Sequence, residues 1–374
     1  MDICFFTHYL PNPYIGEVER VTYNLTQYFK ENGINVYFLT TGGKHHSGLI
    51  PTEYNLDKRA AFINEFLKKN NIRILIDQYI SEPYLRHPHI DSTIKIIGCH
   101  HIDIIERHIF RSLLQTFSIN NLKSSLMNVA FLLNTPRRRF YNNRKISNLL
   151  TGGIDRLIYL SKHYVNHMQK KHPKNKSLFS AIPNACENQL SSLSPINCKK
   201  KQIVWCGRIV HNPKNVLFLI KLWRNLSTEF TDWEMILVGD GCDRHLLEDK
   251  IKRYRLNRIT ITGYTDPYPY YRDARIFVFP SFSEGFGMSL IESMAHSCVP
   301  VVFDTSMVFH DIIEHGTNGF IIPDYNESEF IDTCRKLMNS DLSSYAENAR
   351  KSISQFSIDT VGKQWLTLFN EIIA

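Results

Sequence analysis

Long apolar runs are absent from this chain of 374 residues, in which no stretch approaches the roughly 20 continuous apolar residues that cross a bilayer. Eight cysteines are present, yet they form no CxxC pair and no His/Cys cluster with the spacing of a metal site. Scattered through mostly apolar segments, they read as small buried hydrophobes in a reducing compartment. The chain opens Met1-Asp2-Ile3-Cys4-Phe5-Phe6, where an acid precedes a short apolar run. That pattern is a buried first strand and not a secretory leader, so the expected location is cytoplasmic. Disorder is excluded too, since 43% of the residues are apolar and 21% charged, an ordinary globular balance.

Charge is distributed unevenly. Residues 1–185 carry 24 Lys+Arg against 13 Asp+Glu, a net +11, whereas residues 186–374 carry a net −3. One half of the protein is therefore expected to meet an anionic surface, with nucleic acid and membrane as the two candidates.

Short β-branched runs alternate with helical stretches along most of the sequence, the signature of parallel sheets wrapped by helices. The first series has strands expected at 2–6, 35–40, 73–76, 94–99 and 156–160. The second has them at 202–206, 234–238, 259–262, 276–279, 300–303 and 319–322. A polar Ser/Pro/Asn/Lys stretch at 190–201 separates the two. The fold class is thus α/β, with two doubly wound Rossmann-like domains, 1–189 and 190–357, facing each other across a cleft. A last helix at 358–374 is expected to cross back onto the first domain.

In such sheets ligands sit beyond the C-terminal ends of the strands, so the residues just after each strand carry the chemistry. Gly207-Arg208 follows strand 202–206, and Lys214 comes six residues after Arg208. Two cations there suit a diphosphate leaving group, although a solvated basic turn would look the same. Ser283-Glu284-Gly285-Phe286-Gly287-Met288-Ser289-Leu290-Ile291-Glu292 follows strand 276–279. Its glycines permit close backbone approach, and the helix starting near Met288 offers free amides to a phosphate. Glu284 and Glu292 can accept hydrogen bonds from sugar hydroxyls; the alternative for Glu284 is a carboxylate favouring the helix dipole. In the first half, Cys99-His100-His101-Ile102-Asp103 follows strand 94–99, and a histidine at a strand end can titrate near neutrality. No third metal ligand stands at sensible spacing.

Together these segments resemble the retaining glycosyltransferases of family four, which have the GT-B fold. The resemblance spans nearly the whole chain and is densest over 203–323. Ser281 through Glu292 looks like that family's E-x7-E signature, and Gly207-Arg208…Lys214 like its diphosphate turn. Val238-Gly239-Asp240-Gly241, Gly263, Ile182-Pro183-Asn184 and Asn318-Gly319-Phe320 match in order and spacing. The resemblance implies that Glu292 holds the donor ribose and that Glu284 contacts the transferred sugar. Arg208 and Lys214 would bind the diphosphate, helped by backbone around Gly285, Phe286, Gly287 and Met288. Gly239 and Gly263 would lie near the base, and His100 near the reacting sugar. It further implies retention of anomeric configuration, no metal requirement and no cofactor beyond the nucleotide-sugar donor. A UDP-sugar is expected in preference to a GDP-sugar, although the sequence does not identify the base.

One position departs from that pattern. Gly16 matches the first glycine of the family's paired glycines, which implies a place at the donor diphosphate, but Glu17 stands in place of the second. A negative side chain there sits badly with phosphate contact, so Glu17 is expected either to repack the loop or to serve the acceptor.

Residues 109–145 combine apolar helical spacing with Arg137, Arg138, Arg139, Arg144 and Lys145. This suits an element lying on an anionic membrane, on the inner face, and a saccharide or lipid-linked saccharide acceptor in cell-surface polysaccharide or lipopolysaccharide assembly. An apolar face packed within the first domain, with solvated arginines, fits the same residues. No nucleic-acid-binding motif accompanies them, which sets nucleic acid aside. The rival functional readings are a sugar-nucleotide epimerase of the same fold and a catalytically inactive scaffold.

Overall fold

The computed structural model describes residues 1–14, 16–43, 46–50, 55–80, 82, 85–87, 89–101, 144, 146–186 and 196–374, without the side chains of 197 and 324. Arg137, Arg138 and Arg139 lie outside the described residues. Twelve strands are present among them: β1 (Asp2–Thr7), β2 (Asn35–Thr40), β3 (Ile74–Asp77), β4 (Lys95–His100), β5 (Arg156–Tyr159), β6 (Phe179–Ala181), β7 (Lys200–Cys206), β8 (Glu234–Val238), β9 (Ile259–Ile261), β10 (Ala274–Phe279), β11 (Val299–Phe303) and β12 (Phe320–Ile322).

They form two six-stranded sheets, ordered β2-β1-β3-β4-β5-β6 and β12-β11-β10-β7-β8-β9, and every pairing is parallel. Parallel strands covered on both faces need apolar residues at consecutive positions. Cys4-Phe5-Phe6 and the whole of Val299–Phe303 meet that need and are buried. In the first sheet the chain winds outward from β1 to β2, then returns to the other side of β1 with β3. The second sheet reverses in the same way between β7 and β10. Each sheet therefore has one topological switch point, and the loops after β1 and β3, or after β7 and β10, flank it.

The chain divides into two compact units. One holds β1–β6 and, from Phe356, the last helix; the other holds β7–β12. In the first unit, the terminal helix Ile358–Ile373 packs on helix Glu17–Glu31. Phe369 meets Phe29 at 5.3 Å between ring centroids. Val361, Trp365, Leu368 and Phe369 form the buried stripe, and Cys186 N donates to Phe356 O (2.7 Å) where this helix is approached. Gly362 lets the two helices close, because a Cβ there would lie 2.2 Å from Tyr28 Cε1. Gly362→Ala is expected to lower stability by about 1–3 kcal/mol through overpacking. Urea denaturation checks this, and an unchanged midpoint would show that the Tyr28 ring yields freely.

The structure departs from the sequence expectation in three places. Strand β6 was not expected, because three residues that are one-third buried give no periodic signal. Strand ends also shift by one or two residues. The polar stretch 190–201 is described from Ile196, where a 3-10 turn (Ile196–Cys198) runs into β7. Lys199 in that stretch is buried, and its Nζ donates to Tyr271 O (2.8 Å) and Ala274 O (2.7 Å). The two carbonyls compensate its desolvation, which composition alone does not reveal.

Candidate active site

At the switch point of the second sheet, β7 ends at Cys206 and Arg208 follows two residues later, its side chain exposed. Among the described residues its guanidinium has no hydrogen-bond or ion-pair partner. The turn carrying it is fixed from beside: Ile209 N donates to Asp240 O (2.8 Å), Asp243 N to Ile209 O (3.1 Å), and His211 N to Asp243 Oδ2 (2.7 Å). A cation held on a rigid turn without an internal partner is preorganised for an external anion.

The short helix His211–Lys214 then brings Lys214 to the loop after β10. Lys214 Nζ donates to Glu284 Oε1 at 2.6 Å, with side-chain exposures of 21% and 5%. The two loops are joined independently of that pair by Phe282 N donating to Pro213 O (2.7 Å) and Asn215 Nδ2 to Pro280 O (3.1 Å). The eight-residue helix Met288–Ala295 begins at Gly287, whose φ of 92° lies in the left-handed region. Glu292 is buried in this helix, and its backbone carbonyl is 2.8 Å from His296 Nδ1. Phe286 and Met288 bury their side chains, so they can offer a ligand backbone atoms alone. Arg208, Lys214, Glu284, Gly285, Gly287 and Glu292 thus stand on the two loops and one helix that adjoin the switch point.

Beyond β7 the next strand ends are bound to one another. Gly207 N donates to Val238 O and Gly239 N to Gly263 O, both at 3.0 Å. Arg244 pairs with Asp240 (3.0 Å) and Glu248 (2.7 Å) beside Gly263, and Tyr264 is strongly exposed.

Two buried hydroxyls follow strands of the second sheet; Ser281 opens the Ser281–Glu292 segment, whereas Thr305 belongs to none of the motifs. Ser281, just after β10, and Thr305, just after β11, have no hydrogen-bond partner for their side chains among the described residues. His211 belongs to none of the motifs either. Its Nδ1 is buried without a partner among the described residues, and desolvation lowers its pKa below the usual histidine value against the opposing pull of Asp243.

The first unit gathers a different set at its own switch point. His8, after β1, stacks on Tyr79, after β3, at 4.1 Å, and its Nδ1 is 3.3 Å from Thr41 Oγ1. Tyr79 OH donates to Glu19 Oε1 (2.8 Å); burial and the Glu19 carboxylate keep the phenol protonated. Glu17 accepts from Asn184 Nδ2 (3.0 Å), and a Cβ on Gly16 would fall 2.4 Å from Glu19 Oε2. The start of helix Glu17–Glu31 therefore carries two carboxylates of its own, in place of a bare set of amides that would draw an anion.

Of the histidine pair, His100 closes β4 and lies 5.3 Å from the Tyr159 ring, while His101 Nε2 is 2.6 Å from Gln78 Oε1. Desolvation first, and His100 second, push His101 down to about 4 against the opposing effect of Asp77. Its folded pKa lies below the unfolded value, so its contribution to stability is complete above about pH 6.5 and is lost as pH falls toward 4. His101→Asn is expected to flatten that part of the acid arm. Urea midpoints at pH 7 and pH 4.5 check it, and an equal drop in variant and native protein would refute it.

Among the described residues no group of three His, Cys, Asp or Glu side chains could hold a metal ion, and no helix is long and apolar enough to cross a membrane. The eight cysteines are all free, and burial raises the thiols of Cys4, Cys99, Cys298 and Cys334.

Residues 200–340 match the family described as glycosyl transferases group 1. The chain is similar to an uncharacterized glycosyltransferase of Haemophilus influenzae, 22% identical, with 94% of this chain and 95% of that protein covered. Among solved structures it is similar to a glycosyltransferase from Rickettsia africae, with TM-score 0.71 and 18% identity over 100% of this chain and 98% of that one. It is also similar to TarM of S. aureus, solved in complex with fondaparinux, α-GlcNAc-glycerol and UDP. There the TM-score is 0.60 and the identity 20%, over 83% of this chain and 59% of TarM, so the chain spans about three-fifths of that relative's length. The chain is a glycosyltransferase of the GT-B fold.

Proposed function

We propose that this glycosyltransferase moves a hexose or N-acetylhexosamine from a UDP-sugar to a saccharide or lipid-linked saccharide acceptor, with retention of anomeric configuration and without a metal. The observation that carries the donor half is the switch point of the second sheet, where Lys214 and Glu284 meet at 2.6 Å beside an exposed Arg208 that has no partner among the described residues. As the bond from the anomeric carbon to the diphosphate breaks, charge builds on the departing phosphate oxygens. Arg208 and Lys214 supply the positive charge that a divalent ion supplies in other transferases. Glu292 holds the ribose, Glu284 the transferred sugar, and Gly239 and Gly263 border the base. UDP is preferred as the donor nucleotide because TarM, a similar structure, holds UDP.

The first unit takes the acceptor. His100, Gly16 and Glu17 stand at its strand ends or at the start of its first helix, and the two carboxylates there suit hydroxyl donors better than phosphate. The net +11 of residues 1–185, with Arg137, Arg138 and Arg139 at its densest point, favours work at an anionic membrane surface during cell-surface polysaccharide or lipopolysaccharide assembly.

Calorimetric titration with UDP and with GDP, on native protein and on Glu292→Ala, tests the donor half. Micromolar UDP binding, weakened at least tenfold by the substitution, is the expected result. Binding of neither nucleotide would sink the reading. Flotation with anionic liposomes tests the membrane half, which fails if charge reversal at Arg137, Arg138 and Arg139 leaves the bound fraction unchanged.

A further inference from the structure

Lys214 and Glu284 neutralise one another. The ammonium donates to the carboxylate at 2.6 Å, and the Glu284 side chain is almost entirely enclosed. Lys214 Nζ also stands 5.6 Å from the centre of the Phe279 ring, which lines it on another side. A partly desolvated pair such as this is stronger than a surface ion pair, because less water competes for either charge. A diphosphate that approaches Lys214 therefore meets a cation already engaged by an internal anion.

The pair is not what holds its surroundings together. The loops after β7 and β10 are joined by the Phe282 N to Pro213 O and Asn215 Nδ2 to Pro280 O bonds, neither of which involves Lys214 or Glu284 side chains. Parting the two charges thus requires side-chain movement and leaves the backbone of both loops in place. Lys214 retains one-fifth of its exposure and can be solvated or bound from outside.

We propose that Glu284 acts on the donor's diphosphate through Lys214, as an internal competitor for the lysine. Resting on the assignment of Lys214 to the diphosphate, the sequence of events is as follows. Before a donor binds, Glu284 holds the Lys214 charge. An intact nucleotide sugar gives Glu284 sugar hydroxyls to bind, which frees Lys214 for the diphosphate. After transfer the sugar is gone, Glu284 reclaims Lys214, and the leaving nucleoside diphosphate is held more weakly. Glu284 is then a positioning residue for product release as well as a contact to the sugar.

A nucleoside diphosphate without sugar gives Glu284 nothing in exchange, so UDP isolates the competition. Titration calorimetry with UDP on Glu284→Gln is expected to show binding about three- to tenfold tighter than native. UDP should likewise inhibit the residual transfer of that variant at correspondingly lower concentration, while turnover itself falls. The gain should vanish in the Lys214→Met background, where no lysine remains to be freed. Glu284→Asp keeps the charge but shortens the reach to Lys214; a gain in UDP affinity there supports the same conclusion if Glu284→Gln fails to fold. Equal or weaker UDP binding by the Glu284 variants would overturn the proposal and make the carboxylate an aid to lysine placement. A gain that persists without Lys214 would overturn it too, in favour of direct repulsion between Glu284 and phosphate. Failure of the native protein to bind either UDP or GDP is the separate result that removes the donor assignment itself.

Discussion

Replacing Arg208 with methionine is expected to lower transfer turnover by about 100- to 1,000-fold, the usual effect of removing one preorganised group from a developing oxyanion. Stability should barely change. The side chain is exposed and has no internal partner among the described residues, so nothing buried loses a hydrogen bond when it goes. Lys214 is a poorer subject for the same test, because its loss also strands the nearly enclosed Glu284 carboxylate. Arg208→Lys should recover part of the rate, since a point charge remains but the paired donors of the guanidinium do not. Single-turnover rates with saturating nucleotide sugar, alongside thermal melts, separate the effects. A turnover within tenfold of native, with the melt unchanged, would mean that the leaving diphosphate is neutralised elsewhere.

The charge at position 208 was visible in the sequence; the reason it is available was not. A Gly-Arg turn after an apolar run announces a cation at a strand end, but its freedom from a partner depends on residues 32 or more positions away. Asp243 accepts from the His211 amide, and Asp240 is paired with Arg244. Strands were the easiest feature to read, because burial on both faces writes continuous apolar runs such as Val299–Phe303 into the chain. The helix from Met288 was legible for a related reason, a glycine-rich turn followed by apolar residues. Pairings over long separations left no such mark. Glu17 looked like an intrusion into a glycine loop, yet its carboxylate accepts from Asn184, 167 residues later, in a segment that had been singled out on other grounds. Lys199 sat in an apparently solvated stretch, and what buries it is a pair of carbonyls 72 and 75 residues downstream. The Lys214–Glu284 pair joins two motifs that sequence treated as separate ligand contacts. Local chemistry was thus recoverable, while the electrostatic relation between motifs required the fold.

The largest loss of stability is expected from Gly239→Ala, a change of one methyl group, at about 4 kcal/mol or more. Two independent costs combine there. Gly239 has φ of 139°, a conformation that side chains rarely adopt, and the added Cβ would lie 1.9 Å from Gly207 O and 3.0 Å from Gly207 C. These are backbone atoms, so no rotamer change relieves the contact. Relief requires the turn after β7 to move, and that turn is bound to β8 by Gly207 N donating to Val238 O, while Gly239 N itself donates to Gly263 O. Gly316→Ala provides the control. Its φ of 78° imposes a left-handed strain, but nothing stands within 4 Å of the new Cβ, so a cost of about 1 kcal/mol is expected. Urea unfolding of both variants reads the difference as the steric share together with the greater backbone strain at φ 139°. A Gly239→Ala variant as stable as Gly316→Ala would mean that the strand ends after β7 and β8 separate easily. The Arg208 turn would then lack the rigid support on which its preorganised charge depends, and the expected rate effect of Arg208→Met would shrink with it. Stability at position 239 and turnover at position 208 therefore test one physical premise from two sides.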